Sequence, residues 1–230
     1  MIRLQLQGGQ LSLLCHDTKG RTMKTLKTIS LSMFLGLTLI APSAFAEAKK
    51  QDLNLKTSAL NWKGTKVVGS SHVGTLMFKS GSVNTVSGKL TNGTFVVDMA
   101  SIKNEDVEDA KWNTKLVNHL KSDDFFGVAN HPTSKLVIKK FQHIKDGLYQ
   151  ARGELTIKGI TKPVSFKAET KSGSGDIQTL KATLLFDRTD FNVRYGSGKF
   201  FDNLGDKMIS DEIKVEANIT FKNGIKTAKK

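Results

Sequence analysis

His119, Asp123, Asp124 and His131 are the nearest approach in this sequence to a set of metal ligands. Zinc sites are recognised by short, regular spacings such as C-x2-C or H-x3-H, and the four residues match none of them. They fit better as a helix-terminal histidine with capping carboxylates. Asp187, Arg188 and Asp190 could serve as an acid/base group. Carboxylates alternating around an arginine more often form an ion-pair network at a rim. The chain has no G-x-S-x-G elbow, no H-E-x-x-H helix and no phosphate-binding glycine loop. The expectation is therefore a binding protein and not an enzyme, with no catalytic residue, no metal and no cofactor.

What the sequence does supply is a series of large apolar residues read as facing inward: Leu76, Phe78, Phe95, Val97, Met99, Leu155, Ile157, Phe166, Leu184, Phe186 and Val215 in strand-like alternation, Phe125 and Phe126 in an irregular segment over 122–132, and Phe191 at the start of the 190–210 insertion. Phenylalanine dominates, with 13 copies against two Trp and two Tyr, and its ring needs no polar partner when buried. Two outcomes follow equally from the pattern. The inward faces fill one another as a closed core, or they line an apolar tunnel for a lipid chain. In the second case Arg188, Arg194 and Lys199 are the candidates for a polar mouth that holds the head group.

The elements that position these residues are mostly strands. Residues 147–169 read as a hairpin: Tyr149, Ala151, Leu155 and Ile157 alternate with polar residues, then Val164, Phe166 and Ala168 do the same. The turn is expected within 158–163, with Gly159 supplying it and Pro163 starting the second strand. Further strands are expected over 53–66, 72–87 with a bulge near Gly81, 94–99, 133–141, 177–187 and 213–221. Thr91-Asn92-Gly93 signals a turn and residues 48–52 a mobile leader. One helix is expected after Asn104 as its cap, with Trp112, Leu116, Val117 and Leu120 on one stripe. Residues 190–210 form a long glycine-bearing insertion.

Eight amphipathic antiparallel strands can close into a barrel, which removes exposed edges. A two-sheet sandwich satisfies the same pattern. An outer-membrane barrel would need aromatic girdles, which two Trp and two Tyr do not furnish.

The N-terminal portion reads differently. From Met23 the chain has Lys24 and Lys27, an apolar run over 29–40 and the small-residue pattern Ala44-Phe45-Ala46. That is a secretory signal peptide over 23–46 with cleavage after Ala46, and the run is shorter than the roughly 20 residues of a membrane span. Residues 1–22 are expected to be an upstream mis-start outside the fold, which leaves 47–230 as a single domain. Cys15, the only cysteine, lies in the discarded part, so the exported domain relies on its core. Loss of residues 1–46 removes five of 35 Lys+Arg and one of 21 Asp+Glu, leaving 30 against 20. This surplus favours attraction to anionic surfaces. Nucleic acid is not an expected partner, because no basic cluster is interleaved with stacking aromatics.

Three motifs in register resemble a known family: His119-Leu-Lys-Ser-Asp-Asp-Phe-Phe126 followed by His131-Pro132, then residues 153–164 (GELTIKGITKPV), then Phe186-Asp-Arg-Thr-Asp-Phe191. They resemble the YceI-like family of exported, lipocalin-like polyisoprenoid-binding proteins over nearly the whole of 53–221. The resemblance implies an all-β fold with one helix, an eight-stranded antiparallel lipocalin-like β-barrel enclosing an elongated apolar cavity. It also implies residence in the periplasm, a link to stress response in some members, and a bound isoprenoid-type or other long-chain amphiphilic lipid of the quinone or polyprenyl class. The carrier reading follows; a hydrolase or isomerase acting on such a lipid is the alternative. Expected partners are that lipid and, transiently, a membrane surface, with a homodimer among the allowed states.

Overall fold

A computed structural model describes residues 2–7, 10–15, 47–173 and 176–222. The chain forms two units, Met1–Ala44 and Phe45–Lys230. In the first, β1 (Ile2–Gln7) pairs antiparallel with β2 (Gln10–Cys15), Ile2 opposite Cys15. The segment expected to lie outside the fold thus carries a hairpin of its own. The expected signal peptide falls outside the described residues.

The second unit is built from β3 (Ala48–Asp52), β4 (Ala59–Lys66), β5 (Ser71–Val86), β6 (Lys89–Asn104), α1 (Ala110–Lys121), β7 (Thr133–Lys145), β8 (Leu148–Ile157), β9 (Ile160–Gly173), β10 (Asp176–Asp187) and β11 (Ile209–Thr220). Going round the sheet, the order is β5-β4-β11-β10-β9-β8-β7-β6, and β6 pairs again with β5. The eight antiparallel strands therefore close into a barrel. At the β5–β6 seam Gly74 is required, because a Cβ there would lie 1.9 Å from the Lys103 carbonyl oxygen and 2.7 Å from the Trp62 ring.

Several local expectations are corrected by the pairing. Residues 48–52 are not a free leader: β3 adds to the far half of β5, with Ala48 opposite Val86. The turn read at Asn92-Gly93 lies inside β6, where Gly93 sits opposite both Val83 and Ile138 and the Asn84 amide donates to Asn92 Oδ1 at 2.7 Å. The chain reverses instead at Ser87 and Gly88, since Val86 already pairs with Lys89.

The β8–β9 turn is likewise tighter than the sequence suggested. Ile157 faces Ile160, which leaves only Lys158 (φ 51°) and Gly159 (φ 76°), two left-handed residues as a type I′ hairpin demands. Pro163 then lies within β9, opposite Glu154. It is tolerated because β9 has separated from β10 there: their ladder ends at Ala168 opposite Ala182.

The helix begins later than expected. Asp109 is its N-cap, accepting from the Trp112 N–H at 2.9 Å. Asn104 is used otherwise, its Oδ1 accepting from Val107 N–H and its amide donating to the Val73 carbonyl. Trp112, placed on the apolar stripe by sequence, is 58% exposed, whereas Leu120 is buried and Leu116 and Val117 pack on the core.

Candidate functional site

The barrel is filled at one end and hollow at the other. Val83 of β5, Leu90 of β6, Phe141 of β7, Tyr149 of β8 and Ile177 of β10, with Leu53 just after β3 and Phe221 just after β11, fall in one cluster, each at most 5% exposed. Gln51 of β3 completes this floor. Its amide is buried, donating to the Ile177 carbonyl at 3.0 Å and accepting from the Ile177 N–H at 3.3 Å, so that it acts as a ladder partner for β10.

Towards the other end lies a cavity of about 340 Å³. Its wall includes Leu76, Phe78, Phe95, Val97, Met99, Leu155, Ile157, Phe166, Leu184, Phe186 and Val215 from the strands, with Phe125 and Phe126 from the turn after α1. The strand residues among them are the side chains that alternation turned inward. Others of the same parity were passed over, notably Leu60, Trp62 and Ile213, and so were Leu116 and Leu120 of α1. The helix therefore lies beside the opening, with part of its apolar stripe facing the void.

Phe191 is not part of this wall. It sits 1% exposed in a separate cluster with Leu155 and Ile157, meeting the Phe186 ring edge-on at 5.6 Å. This places it where β9 and β10 have parted, as a plug behind the cavity.

The three residues expected at a polar mouth are occupied elsewhere. Arg188 does reach the cavity, yet it is 2% exposed and its donors serve the backbone. Nη1 donates to the carbonyls of Val193 (2.9 Å) and Tyr195 (2.8 Å), Nε to Ser210 (3.0 Å) and Nη2 to Ile209 (3.2 Å), with Asp211 Oδ1 at 3.2 Å from Nη2. Burial lowers its pKa, against the raising effect of the Asp211 and Asp187 charges. Arg188 is thus the staple that ties the 193–195 stretch to the start of β11. Arg194 lies over the Phe200 ring at 4.7 Å, and Lys199 is hydrogen-bonded to Asp187, which raises the pKa of its ammonium. Neither lines the cavity.

Besides Arg188, the charged and polar residues lining the cavity are Thr65, Lys66, Ser70, His72, Ser134 and Lys135, from the ends of β4, β5 and β7 and the β4–β5 loop. His72 Nδ1 is 2.8 Å from Asp106 Oδ2. Burial would raise the Asp106 carboxyl, but hydrogen bonds from the Val73 N–H, His72 and Asn104 outweigh it and hold the group below its ordinary value. A lysine pair at the lip and an apolar interior form a site suited to an amphiphile. Sequence did not single out Lys66 and Lys135, since each is one lysine among many.

His119 does not line the cavity but packs against Phe125, which does. Its ring meets Phe125 at 4.9 Å and Tyr195 at 4.5 Å, both edge-on, and Nε2 is 3.1 Å from Asp124 Oδ2. His131 lies apart from it, against Gly159. Among the described residues no three His, Cys, Asp or Glu side chains gather as metal ligands would.

Residues 52–221 match the YceI-like domain family. A UPF0312 protein of Shewanella denitrificans is 30% identical over 151 residues, covering 61% of this chain and 71% of its own. A UPF0312 protein of Pseudomonas putida is 29% identical over 178 residues, covering 74% and 88%. Among solved structures, a polyisoprenoid-binding domain from Saccharophagus degradans, implicated in plant cell wall breakdown, shares the fold with a TM-score of 0.56 at 15% identity, over 75% of this chain and 97% of that one. BcnA of Burkholderia cenocepacia gives a TM-score of 0.55 at 22% identity, over 73% and 98%.

Proposed function

This chain belongs to the YceI-like family, and from that premise we propose that it is a periplasmic, non-catalytic carrier or sequestering protein for an isoprenoid-type or other long-chain amphiphilic lipid. The observation that carries this reading is the one-ended cavity: a mostly apolar wall, a solid floor, and a few polar residues from the strand ends opposite that floor. The related domain from Saccharophagus degradans, described as polyisoprenoid-binding, supports the same ligand class.

The dimensions bound the ligand further. An apolar cavity of ~150 Å³ takes one benzene, so about 340 Å³ takes on the order of a dozen carbon atoms. A longer chain would leave its remainder outside the mouth. Each methylene moved from water to the wall contributes roughly 0.8 kcal/mol, while Lys66, Lys135, Ser70 and Ser134 meet a polar or anionic head.

Native mass spectrometry of the chain purified from the cells that export it, followed by organic extraction, tests this. A co-purifying mass that fragments in isoprene units, released unchanged, is the expected result. A bare protein mass, with no uptake of added quinones or polyprenyl phosphates, overturns the reading. Conversion of a bound lipid to product would establish catalysis instead.

A further inference from the structure

Four glycines of the barrel strands are there because a side chain would not fit. A Cβ on Gly74 or Gly153 would lie 1.9 Å or 2.2 Å from the carbonyl oxygen of Lys103 or Val137, one on Gly81 2.8 Å from the Phe95 ring, and one on Gly93 3.0 Å from the Ser82 carbonyl oxygen. Gly64 of β4 is different. A Cβ there would meet only Ile213 Cδ1, at 3.7 Å, an ordinary contact, and its φ is not in the left-handed region. Its pairing with β5 is unbroken, from Trp62 opposite Gly74 to Thr65 opposite Ser71. The bulge in the β4–β11 ladder belongs to β11, where residues 210–212 stand against the single Thr65 between the Gly64–Ile213 and Lys66–Ile209 pairs. Those β11 residues turn to Arg188, which takes the Ser210 carbonyl and Asp211. Neither backbone conformation nor packing therefore calls for glycine at 64.

A glycine inside a strand gives up packing and adds freedom to the unfolded chain, and one that no local requirement explains marks a place where a ligand approaches the backbone closely. Gly64 lines the cavity. On the same face of β4, Trp62 lies two residues nearer the floor and Lys66 two residues nearer the rim, while His72 flanks Gly64 on β5 and Ile213 on β11. All four line the cavity too. The missing side chain leaves a recess where the apolar wall gives way to polar residues, with an indole beneath it and an ammonium above.

We propose that Gly64 is the position that decides which head groups the cavity accepts. Its recess takes a head wider than a hydrocarbon chain and rich in oxygen acceptors, a quinone ring or a phosphate, and the Lys66 ammonium donates to those oxygens. Gly64 has this role only if the carrier reading holds, and the two are tested apart.

Isothermal titration with three ligands that share a decyl tail separates them: a decyl benzoquinone, decyl phosphate, and decanol, whose hydroxyl needs no recess. Gly64→Leu is expected to weaken a wide-headed ligand by at least about tenfold, the scale on which a fitted pocket reads one methylene, and decanol by less than about twofold. Gly64→Ala, whose methyl group has room, is expected to keep or raise the melting temperature and to show a smaller loss of the same selectivity. Circular dichroism establishes that both variants are folded. Should Gly64→Leu not fold, the selectivity of Gly64→Ala decides alone.

Loss of the benzoquinone alone assigns a ring head, loss of the phosphate alone a phosphate head, and loss of both a recess open to either; each supports the proposal. An equal loss of decanol, or no loss of any ligand, overturns it. So does a clearly lowered melting temperature in Gly64→Ala, which would give the glycine a purely structural role beside the bulge. If the wild type binds none of the three, the carrier reading falls and the role of Gly64 with it; if wild type and variants bind all three alike, only the role of Gly64 falls.

Discussion

Ala182 and Ala217 face each other across the β10–β11 ladder, and both line the cavity. Ala168 stands opposite Ala182 on β9, fully buried. Three strands therefore place alanines at one level, two of them in a wall otherwise built largely of phenylalanine, leucine, isoleucine and valine. Ala182 and Ala217 leave open space that a larger side chain would fill.

Refilling this level should remove binding without harming the fold. Ala217→Phe is expected to weaken uptake of a long-chain probe by more than about tenfold while leaving thermal stability unchanged or raised, because the added ring occupies existing space. Fluorescence titration beside a melting curve reads both quantities. Retained uptake would place the ligand elsewhere.

Phe191, the plug between the parted strands β9 and β10, should behave in the opposite way. Phe191→Ala is expected to cost about 3–5 kcal/mol, as for large-to-small changes in well-packed sites. Denaturant unfolding measures it.

Arg188→Lys is expected to be strongly destabilising even though charge is retained. One ammonium cannot reach the four carbonyls that the guanidinium serves, and each buried acceptor left unpaired costs about 1–3 kcal/mol. A loss of under about 1 kcal/mol in a urea titration would contradict the staple role.

Acid should weaken the barrel through two carboxylates. Asp106 and Asp187 are both held below the ordinary value of 3.8: burial opposes ionisation in each, and hydrogen bonds from Val73, His72 and Asn104, or from Lys199 and Thr189, outweigh it. A depressed native pKa means the unfolded chain takes up the proton first. The contribution is thus complete above the unfolded-state value and is lost as pH falls through the native one. Asp187→Asn and Asp106→Asn should each lower stability at neutral pH by under about 1 kcal/mol and flatten its decline below pH about 4, measured by urea unfolding across a pH series.

The eight barrel strands and most of the cavity wall were legible because a half-buried strand writes its two faces into alternate residues. Strand β3 was not, since Ala48-Lys49-Lys50-Gln51-Asp52 has no apolar alternation and owes its conformation to the free edge of β5 and to the Gln51 amide. Asn92-Gly93 looked like a turn for the converse reason: local preference there is overridden by ladders on both sides. One small-residue patch beside the cavity is a property of register. Ala168, Ala182 and Ala217 are scattered in sequence, and only pairing brings them level. Arg188 was read as a ligand because its real partners are backbone carbonyls, which carry no side-chain signature.

The solid floor also fixes where the chain ends of the barrel lie. The Ser87 N–H donates to the Glu47 carbonyl, the Lys222 N–H to the Asp52 carbonyl at 2.9 Å, and Leu53 bridges Phe221. The first and last described residues of the barrel therefore both leave from its base, away from the opening. A reporter or surface linker attached at either position leaves the entrance unobstructed, and a short join between the two is a natural route to a circularly permuted barrel with its cavity intact.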